Sequence, residues 1–163
     1  MASIDERELR SIFGTFVTGV TVITCLGPDG LPRGVTANSF SSVSLDPPMV
    51  LWSQRLNALS FPAYRDADRF VVNILAVDQI ELSQRFSSPA PNRFDGVAFE
   101  RGIGEIPVLI GCAATLQCAR VAIYPGGDHA VFLGRVEYCE KNAKRPLAFS
   151  SGRYAAVNEL NTA

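Results

Sequence analysis

Residues 34–48 read Gly34-Val-Thr-Ala-Asn-Ser-Phe-Ser-Ser-Val-Ser-Leu-Asp-Pro-Pro48 and lie between two strand-like runs. Five hydroxyl side chains and one amide fall between Thr36 and Ser44. Because each buried hydroxyl needs a hydrogen-bond partner, so polar a stretch is poor core material. The same groups suit a ligand rich in acceptors, such as a phosphate or a heteroaromatic ring with carbonyls. We therefore expect a ligand-binding edge on a β scaffold; an ordinary polar strand and loop with local bonding to the backbone is the alternative.

Composition limits the classes of function. The chain has 163 residues, 47% of them hydrophobic, which predicts one domain over residues 1–163. Lys and Arg number 15 against 16 acidic residues, and no basic stripe appears, so nucleic acid and anionic membrane surfaces are not expected partners. The apolar runs are short and no signal-peptide pattern opens the chain, which predicts a cytoplasmic protein with no membrane span.

The cysteine pattern favours reduced thiols, although counting alone leaves disulfides open. No C-x-x-C pair occurs among the four cysteines, Cys25, Cys112, Cys118 and Cys139. Cys112 and Cys118 lie in one strand-like run, so we expect both to pack on one face with Ala114 and Leu116. That arrangement indicates core packing, and no metal site is expected.

Periodicity predicts a mainly β chain. Ser3 and Glu6 form a capping box before a helix that includes Leu9 and Phe16. The other predicted elements are a hairpin of 20–26 and 33–36, strands at 49–53, 69–76, 111–124 and 130–140, helices at 57–65 and at 78–85 with Asp78 as the cap, a long loop at 87–107, and a loop or short strand at 149–154. Five to seven strands with few helices favour a small barrel over a βαβ sheet.

Four motifs occur in the order found in the short-chain flavin reductases: the 34–44 run, Ser83-Gln-Arg-Phe86, Gly127-Asp-His129 and Gly152-Arg-Tyr154. Over residues 8–157 the chain resembles this family, the reductase components of two-component flavin monooxygenases. The resemblance implies a homodimeric, FMN-binding split β-barrel that holds FMN or FAD near the dimer interface. No G-x-G-x-x-G follows a strand, so no Rossmann domain is expected, and NADH or NADPH would bind directly over the flavin.

The resemblance also implies a set of flavin-binding residues. Thr36, Ala37, Asn38 and Ser39 would line the isoalloxazine ring, and Ser41 and Ser42 would lie toward the ribityl-phosphate. Ser53, Gln54, Asn57 and Ala58 would lie beside the ribityl chain and phosphate. Arg85 would bind the phosphate, and the neighbouring Phe86 completes the set. Leu56 departs from the family pattern, which often places a basic residue just before the position of Asn57. Arg55 is adjacent, but neighbouring residues of a strand point to opposite faces.

His129 is the only histidine of the chain. The resemblance places it where the nicotinamide docks and so makes it the catalytic candidate; a structural histidine bonded to the turn backbone is the alternative. Phe94 belongs to a predicted lid, and Arg153 and Tyr154 are further candidates for nucleotide contact. Phe94 and Tyr154 fit core packing as well.

These expectations combine into an NAD(P)H:flavin oxidoreductase that passes a hydride to flavin N5 and supplies reduced flavin to a partner monooxygenase. One alternative is a split-barrel flavin oxidase of the pyridoxamine phosphate oxidase type, although few basic residues stand near the motifs for a second phosphate. A non-catalytic flavin-binding protein and a structural dimer without flavin are two more. The sequence does not choose between FMN and FAD or between NADH and NADPH.

Overall fold

The computed structural model describes residues 4–160, which contain three helices, one turn of 3₁₀ helix and twelve strands. The helices are α1 (Glu6–Gly14), α2 (Phe61–Asp66) and α3 (Ile80–Ser87), and the 3₁₀ turn spans Ile103–Glu105. The strands are β1 (Thr18–Gly19), β2 (Thr21–Leu26), β3 (Pro32–Ala37), β4 (Ser41–Leu45), β5 (Pro48–Arg55), β6 (Arg69–Ile74), β7 (Phe99–Arg101), β8 (Pro107–Leu109), β9 (Ala114–Gly126), β10 (His129–Lys141), β11 (Leu147–Ser150) and β12 (Arg153–Ala156).

Seven strands form one antiparallel sheet in the order β3-β2-β6-β9-β10-β5-β4. The sheet is not closed: β3 and β4 are its two edges. A three-stranded sheet (β1-β11-β12) and a two-stranded sheet (β7-β8) accompany it. The chain is therefore mainly β, as predicted.

Two apolar clusters fill the interior. In the first, the indole of Trp52 on β5 stacks on Phe132 of β10, with ring centroids 4.6 Å apart, and meets Tyr64 of α2 edge-on at 5.1 Å. Buried aromatic contacts of this kind add stabilisation beyond the area they remove from water. The second cluster lies under α3 and the β11–β12 hairpin and includes Phe86 and Leu75. The first cluster contains Tyr64 of α2 and the second contains Phe86 of α3, so the two clusters hold these helices against the sheet.

Several predicted boundaries are wrong. Asp5, not Ser3, caps α1, because its carboxylate accepts from the backbone N–H groups of Arg7 (2.6 Å) and Glu8 (3.2 Å); Ser3 lies outside the described residues. The helix predicted at 57–65 begins only at Phe61, since the preceding residues form turns and Pro62 suits a first helical turn.

The remaining corrections concern α3 and the loop segments. Asp78 does not cap α3, because its carboxylate binds Lys144 at 2.9 Å. The segment 87–107 is not all loop, since it contains β7 and the 3₁₀ turn. The segment 149–154 belongs to the hairpin of β11 and β12.

All four cysteines are free thiols, and the three buried ones are inert. Burial raises the pKa of Cys25 and Cys118 to about 12 and that of Cys112 to about 11. Cys112 precedes β9 and packs in the second cluster, whereas Cys118 packs in the first, so the predicted common face is not formed. Within residues 4–160 no three metal-ligating side chains come together, and no helix has the length and apolarity to cross a membrane.

Candidate functional site

The free edges of β3 and β5 face each other across a gap. β4 pairs with β5 only as far as Leu51, which leaves the edge of β5 open from Trp52 onward. The Ser39 hydroxyl bridges one end of the gap: it accepts from the Ser53 N–H (3.0 Å) and donates to the Ser53 carbonyl (2.9 Å). One side chain thus satisfies both backbone groups of a strand residue that has no strand partner on that side.

A cavity of about 410 Å³ lies at the other end of the gap. It is bounded by the start of β3, the turn before α2 and the proline-rich loop; its lining residues are Leu31, Pro32, Arg33, Gly34, Leu59, Ser60 and residues 89–95. Thr36 and Ala37 of β3, followed by Asn38 and Ser39, lie along one side of the gap, and Ser53 and Gln54 of β5, followed by Asn57 and Ala58, lie along the other. None of these predicted residues lines the cavity. We call the gap between the two sides the groove; flavin binding in it stays a prediction.

Ser60 presents a hydrogen-bond donor to the cavity. Its oxygen accepts from Gln54 Nε2 at 2.8 Å, and among residues 4–160 it has no other hydrogen-bond partner. The hydroxyl hydrogen is therefore free for an acceptor inside the cavity. Gln54 is only 5% exposed, and its Oε1 is buried without a partner within the described chain. A buried amide with an unmet acceptor is costly, which is typical of a group committed to a site.

Arg93 supplies the cation of the cavity. Its Nη1 donates to the carbonyls of Gly34 (3.0 Å) and Phe86 (3.2 Å), and its Nε donates to Ala90 (3.3 Å). Nη2 makes no bond within the described part of the chain and remains available to an anion. Arg33 also lines the cavity, but Asp29 holds its guanidinium at 2.6 Å and partly neutralises it.

The sequence did not reveal Ser60 or Arg93. Arg93 is held by carbonyls 59 and 7 residues away in sequence, and such long-range contacts leave no local pattern. Ser60 had a weak signal, because it directly precedes the Phe61-Pro62 start of α2.

Arg85 and Phe86 of the Ser83-Gln-Arg-Phe86 motif lie in different environments. Phe86 is fully buried and packs against Gly34 of β3 and the Phe94 ring, 5.0 Å away. Arg85 is exposed, donates to the Asp95 carbonyl, and lines a second cavity of about 280 Å³ with Asp78 and its neighbours. Arg85 thus does not line the larger cavity, and the Phe86 side chain is enclosed in the core.

The remaining predicted flavin residues divide between groove and surface. The Thr36 hydroxyl donates to the Ser83 carbonyl (2.7 Å), which fixes β3 to α3. Asn38 is exposed beside the groove. Ser41 and Ser42 are exposed on β4, opposite Leu51 and Val50, and line none of the cavities.

Tyr154 joins the C-terminal hairpin to α3. Its hydroxyl lies 2.9 Å from the buried Ser83 hydroxyl, and its ring packs edge-on against Phe149 at 5.5 Å. Phe94 likewise packs on Phe86 and on Phe99. Both aromatic residues therefore make the core contacts of the alternative interpretation, while Arg153 is exposed.

His129 is bonded to a side chain, not to the turn backbone. Its Nδ1 lies 2.6 Å from Asp128 Oδ1. This hydrogen bond, first among the causes, lowers the pKa of the Asp128 carboxyl, so the carboxylate accepts and the imidazole donates. This bond orients the ring through Nδ1 and leaves Nε2 without a partner among residues 4–160, and the side chain is 34% exposed.

Comparison with known proteins agrees with this architecture. The family model described as "Flavin reductase like domain" matches residues 13–158. The chain belongs to the flavin reductase-like family. It is 40% identical to the FMN reductase (NADH) SmoA of Agrobacterium fabrum, over 92% of this chain and 85% of the relative. It is 36% identical to HsaB of Mycobacterium tuberculosis, a flavin-dependent monooxygenase reductase subunit, over 99% of this chain and 87% of that protein.

A solved structure in the family supports the fold. NADH:FAD oxidoreductase SgcE6 of Streptomyces globisporus, in complex with NAD and FAD fragments, superposes with a TM-score of 0.89 at 37% identity, covering 97% of this chain and 98% of that one. Two other relatives are longer, since the chain spans about half of each: the trigonelline monooxygenase reductase component of Acinetobacter baylyi and a flavin reductase of Rhizobium meliloti.

The close approach of Phe86 to β3 gives a stability test. A Cβ at position 34 would overlap the buried Phe86 ring, whereas one at Gly19 meets no atom within 4 Å. We expect Gly34→Ala to lower the free energy of unfolding by about 1–3 kcal/mol, the cost of overpacking a filled site. Gly19→Ala is the matched control and should change it by less than about 0.5 kcal/mol. Urea denaturation measures both; equal midpoints for the two variants would show that Phe86 does not require the glycine.

Proposed function

We propose that this protein is an NADH:flavin oxidoreductase that reduces FMN or FAD and releases reduced flavin to a partner monooxygenase. The observation that carries the proposal is the groove between β3 and β5, with the exposed Asn38 amide beside one end and, at the other end, a cavity where Ser60 and Arg93 each keep a free donor. The donor NADH is supported by relatives such as SmoA, described as an FMN reductase (NADH). The partner is supported by relatives described as monooxygenase reductase subunits.

The groove suits the two ends of a flavin. The ring end would lie along Thr36, Ala37, Asn38 and Ser39, where the border offers amide and backbone groups. The phosphate end would enter the 410 Å³ cavity, where Ser60 and Arg93 each offer a free donor. Charge-assisted bonds to a phosphate are stronger than neutral ones, so Arg93, not the outward Arg85, is the proposed phosphate ligand.

When bound, the flavin accepts a hydride at N5 from the reduced nicotinamide. The protein's own part is to orient both rings and to exclude water from the groove. Backbone and side-chain donors of the 36–39 segment would stabilise the negative charge that develops at the far side of the ring. His129 would hold the nicotinamide through Nε2, with Asp128 fixing the orientation of the imidazole. Within residues 4–160, Arg93 is the one arginine lining the cavity that has no acidic partner, which fits a flavin that must leave again.

We also propose that the chain acts as a homodimeric split barrel. The open sheet leaves large apolar side chains exposed, among them Leu45 (94%), Val43, Val121 and Tyr124 on β4 and β9. Large apolar side chains exposed on a sheet are typical of an interface. A second copy of the chain is the proposed occupant, and light scattering should give twice the mass of 17.6 kDa. A monomer at micromolar concentration would contradict it.

The reductase activity has a direct assay. Purified protein with NADH and free FMN, FAD or riboflavin should consume NADH, followed at the nicotinamide absorbance band. His129→Ala should raise the KM for NADH or lower kcat, with the flavin Kd unchanged, because the imidazole contacts only the nucleotide. No flavin-stimulated oxidation with NADH or NADPH would refute the reductase function. Unchanged kinetics in the variant would return His129 to a structural role.

The phosphate end has its own test. Arg93→Ala and Ser60→Ala should each weaken FMN binding about tenfold, the equivalent of one charge-assisted hydrogen bond. Riboflavin, which lacks the phosphate, should bind all variants alike. Arg85→Ala is the matched control and should bind FMN like the wild type; fluorescence titration measures each Kd. A loss confined to Arg85→Ala would instead place the phosphate at the outward face of α3.

A further inference from the structure

The end of β5 presents an unused cation on the face opposite the core. Val50, Trp52 and Gln54 point into the interior, so alternation turns Arg55 the other way. In the antiparallel ladder Arg55 pairs directly with His129 of β10. Side chains so opposed have Cβ atoms about 4.5–5.5 Å apart. The guanidinium and the imidazole therefore stand side by side on one surface.

Arg55 is exposed and makes no hydrogen bond or ion pair with any other residue from 4 to 160. The acidic residue next to its strand partner His129 is Asp128, and the Asp128 carboxylate is already bound by His129 Nδ1 at 2.6 Å. The pKa of Asp128 is lowered most by the hydrogen bond from His129, then by the charge of His129, and to a smaller degree by the charge of Arg55. A hydrogen bond from Leu56 N–H to the Asp128 carbonyl (3.0 Å) ties the two strand ends together. The Asp128–His129 pair and the backbone beside Arg55 thus have fixed places, while every donor of Arg55 stays free.

The cluster offers two kinds of contact. In the tautomer that donates Nδ1–H to the carboxylate, Nε2 carries no proton and can accept a hydrogen bond, for example from a carboxamide N–H. The guanidinium beside it offers a planar fork that fits phosphate oxygens. A nicotinamide dinucleotide carries a carboxamide at one end and a pyrophosphate in the middle. The imidazole and the guanidinium therefore match, in chemical kind, the two groups of this substrate.

Strand alternation separates this cluster from the proposed flavin phosphate site. Gln54 points inward and holds Ser60 at the cavity, while Arg55, the next residue, points outward to His129. Leu56 occupies the position just before Asn57, where the family often has a basic residue. The neighbouring cation, Arg55, lies on the face of β5 opposite to Gln54. The anion that Arg55 can reach is thus not the one that Ser60 and Arg93 serve.

We propose that Arg55 binds the pyrophosphate of the nicotinamide dinucleotide beside His129. The proposal rests on the reductase function, because it assigns a second contact to the same electron donor. It makes the end of β5 a determinant of nucleotide affinity that is independent of flavin affinity.

The test uses ADP-ribose, which has the pyrophosphate and lacks the nicotinamide. Calorimetry should show that Arg55→Ala weakens ADP-ribose binding about tenfold, as expected for a lost charge-assisted contact. Arg55→Lys should recover part of the affinity, since it keeps the charge without the fork. Arg101→Ala is the matched control, because it removes an exposed arginine of the separate β7–β8 sheet and should change nothing.

Kinetics then separate the two claims. The KM for NADH should rise with the ADP-ribose Kd in Arg55→Ala, while kcat and the FMN Kd stay constant. Unchanged ADP-ribose binding, or a change in the FMN Kd instead, would overturn the assignment of Arg55. If wild-type protein oxidised no NADH, the reductase function would fail, and the calorimetric comparison would still decide whether Arg55 holds a pyrophosphate.

Discussion

The double hydrogen bond between the Ser39 hydroxyl and the backbone of Ser53 is the constraint on which the site depends. β4 stops pairing at Leu51, so the edge of β5 beyond it needs another partner. Another strand paired to this edge, between β5 and β3, would close the sheet and fill the groove. One hydroxyl satisfies the edge at a single residue and leaves the rest of it accessible. The groove, its polar border and the cavity at Ser60 all follow from that arrangement.

Residues 34–48 predicted a polar edge between two strands, and in the structure the Thr36 and Ser39 hydroxyls bind backbone groups of α3 and β5. Flavin binding at this edge stays a prediction. The place of Arg85 at the phosphate was expected from the resemblance alone. In the structure Ser83 and Phe86 form the buried face of α3, and Arg85, between them in sequence, is exposed. Arg93, the phosphate ligand that we propose, was not predictable from the sequence, because carbonyls from β3 and α3 hold it in place. Local pattern gives the face of an element but not which distant loop meets it.

At the end of β5, two adjacent polar residues point to opposite faces of the strand. Gln54 is committed to the cavity through Ser60, and Arg55 stands beside His129 on the other surface. A reaction between two anionic substrates needs each to be gripped without one grip interfering with the other. Because successive side chains of a strand point to opposite faces, two adjacent residues of β5 provide that separation. In the function that we propose, flavin affinity could then stay low enough for release while nucleotide affinity is set by other residues.

The direction of the flavin in the groove is the central claim, and a crystal structure of the protein with FMN tests it most directly. The account predicts a phosphate within hydrogen-bond distance of Ser60 Oγ and the Arg93 guanidinium, with the ring beside Asn38 and Ser39. A phosphate bound instead at Ser41 and Ser42 on β4, with the 410 Å³ cavity empty, would contradict it.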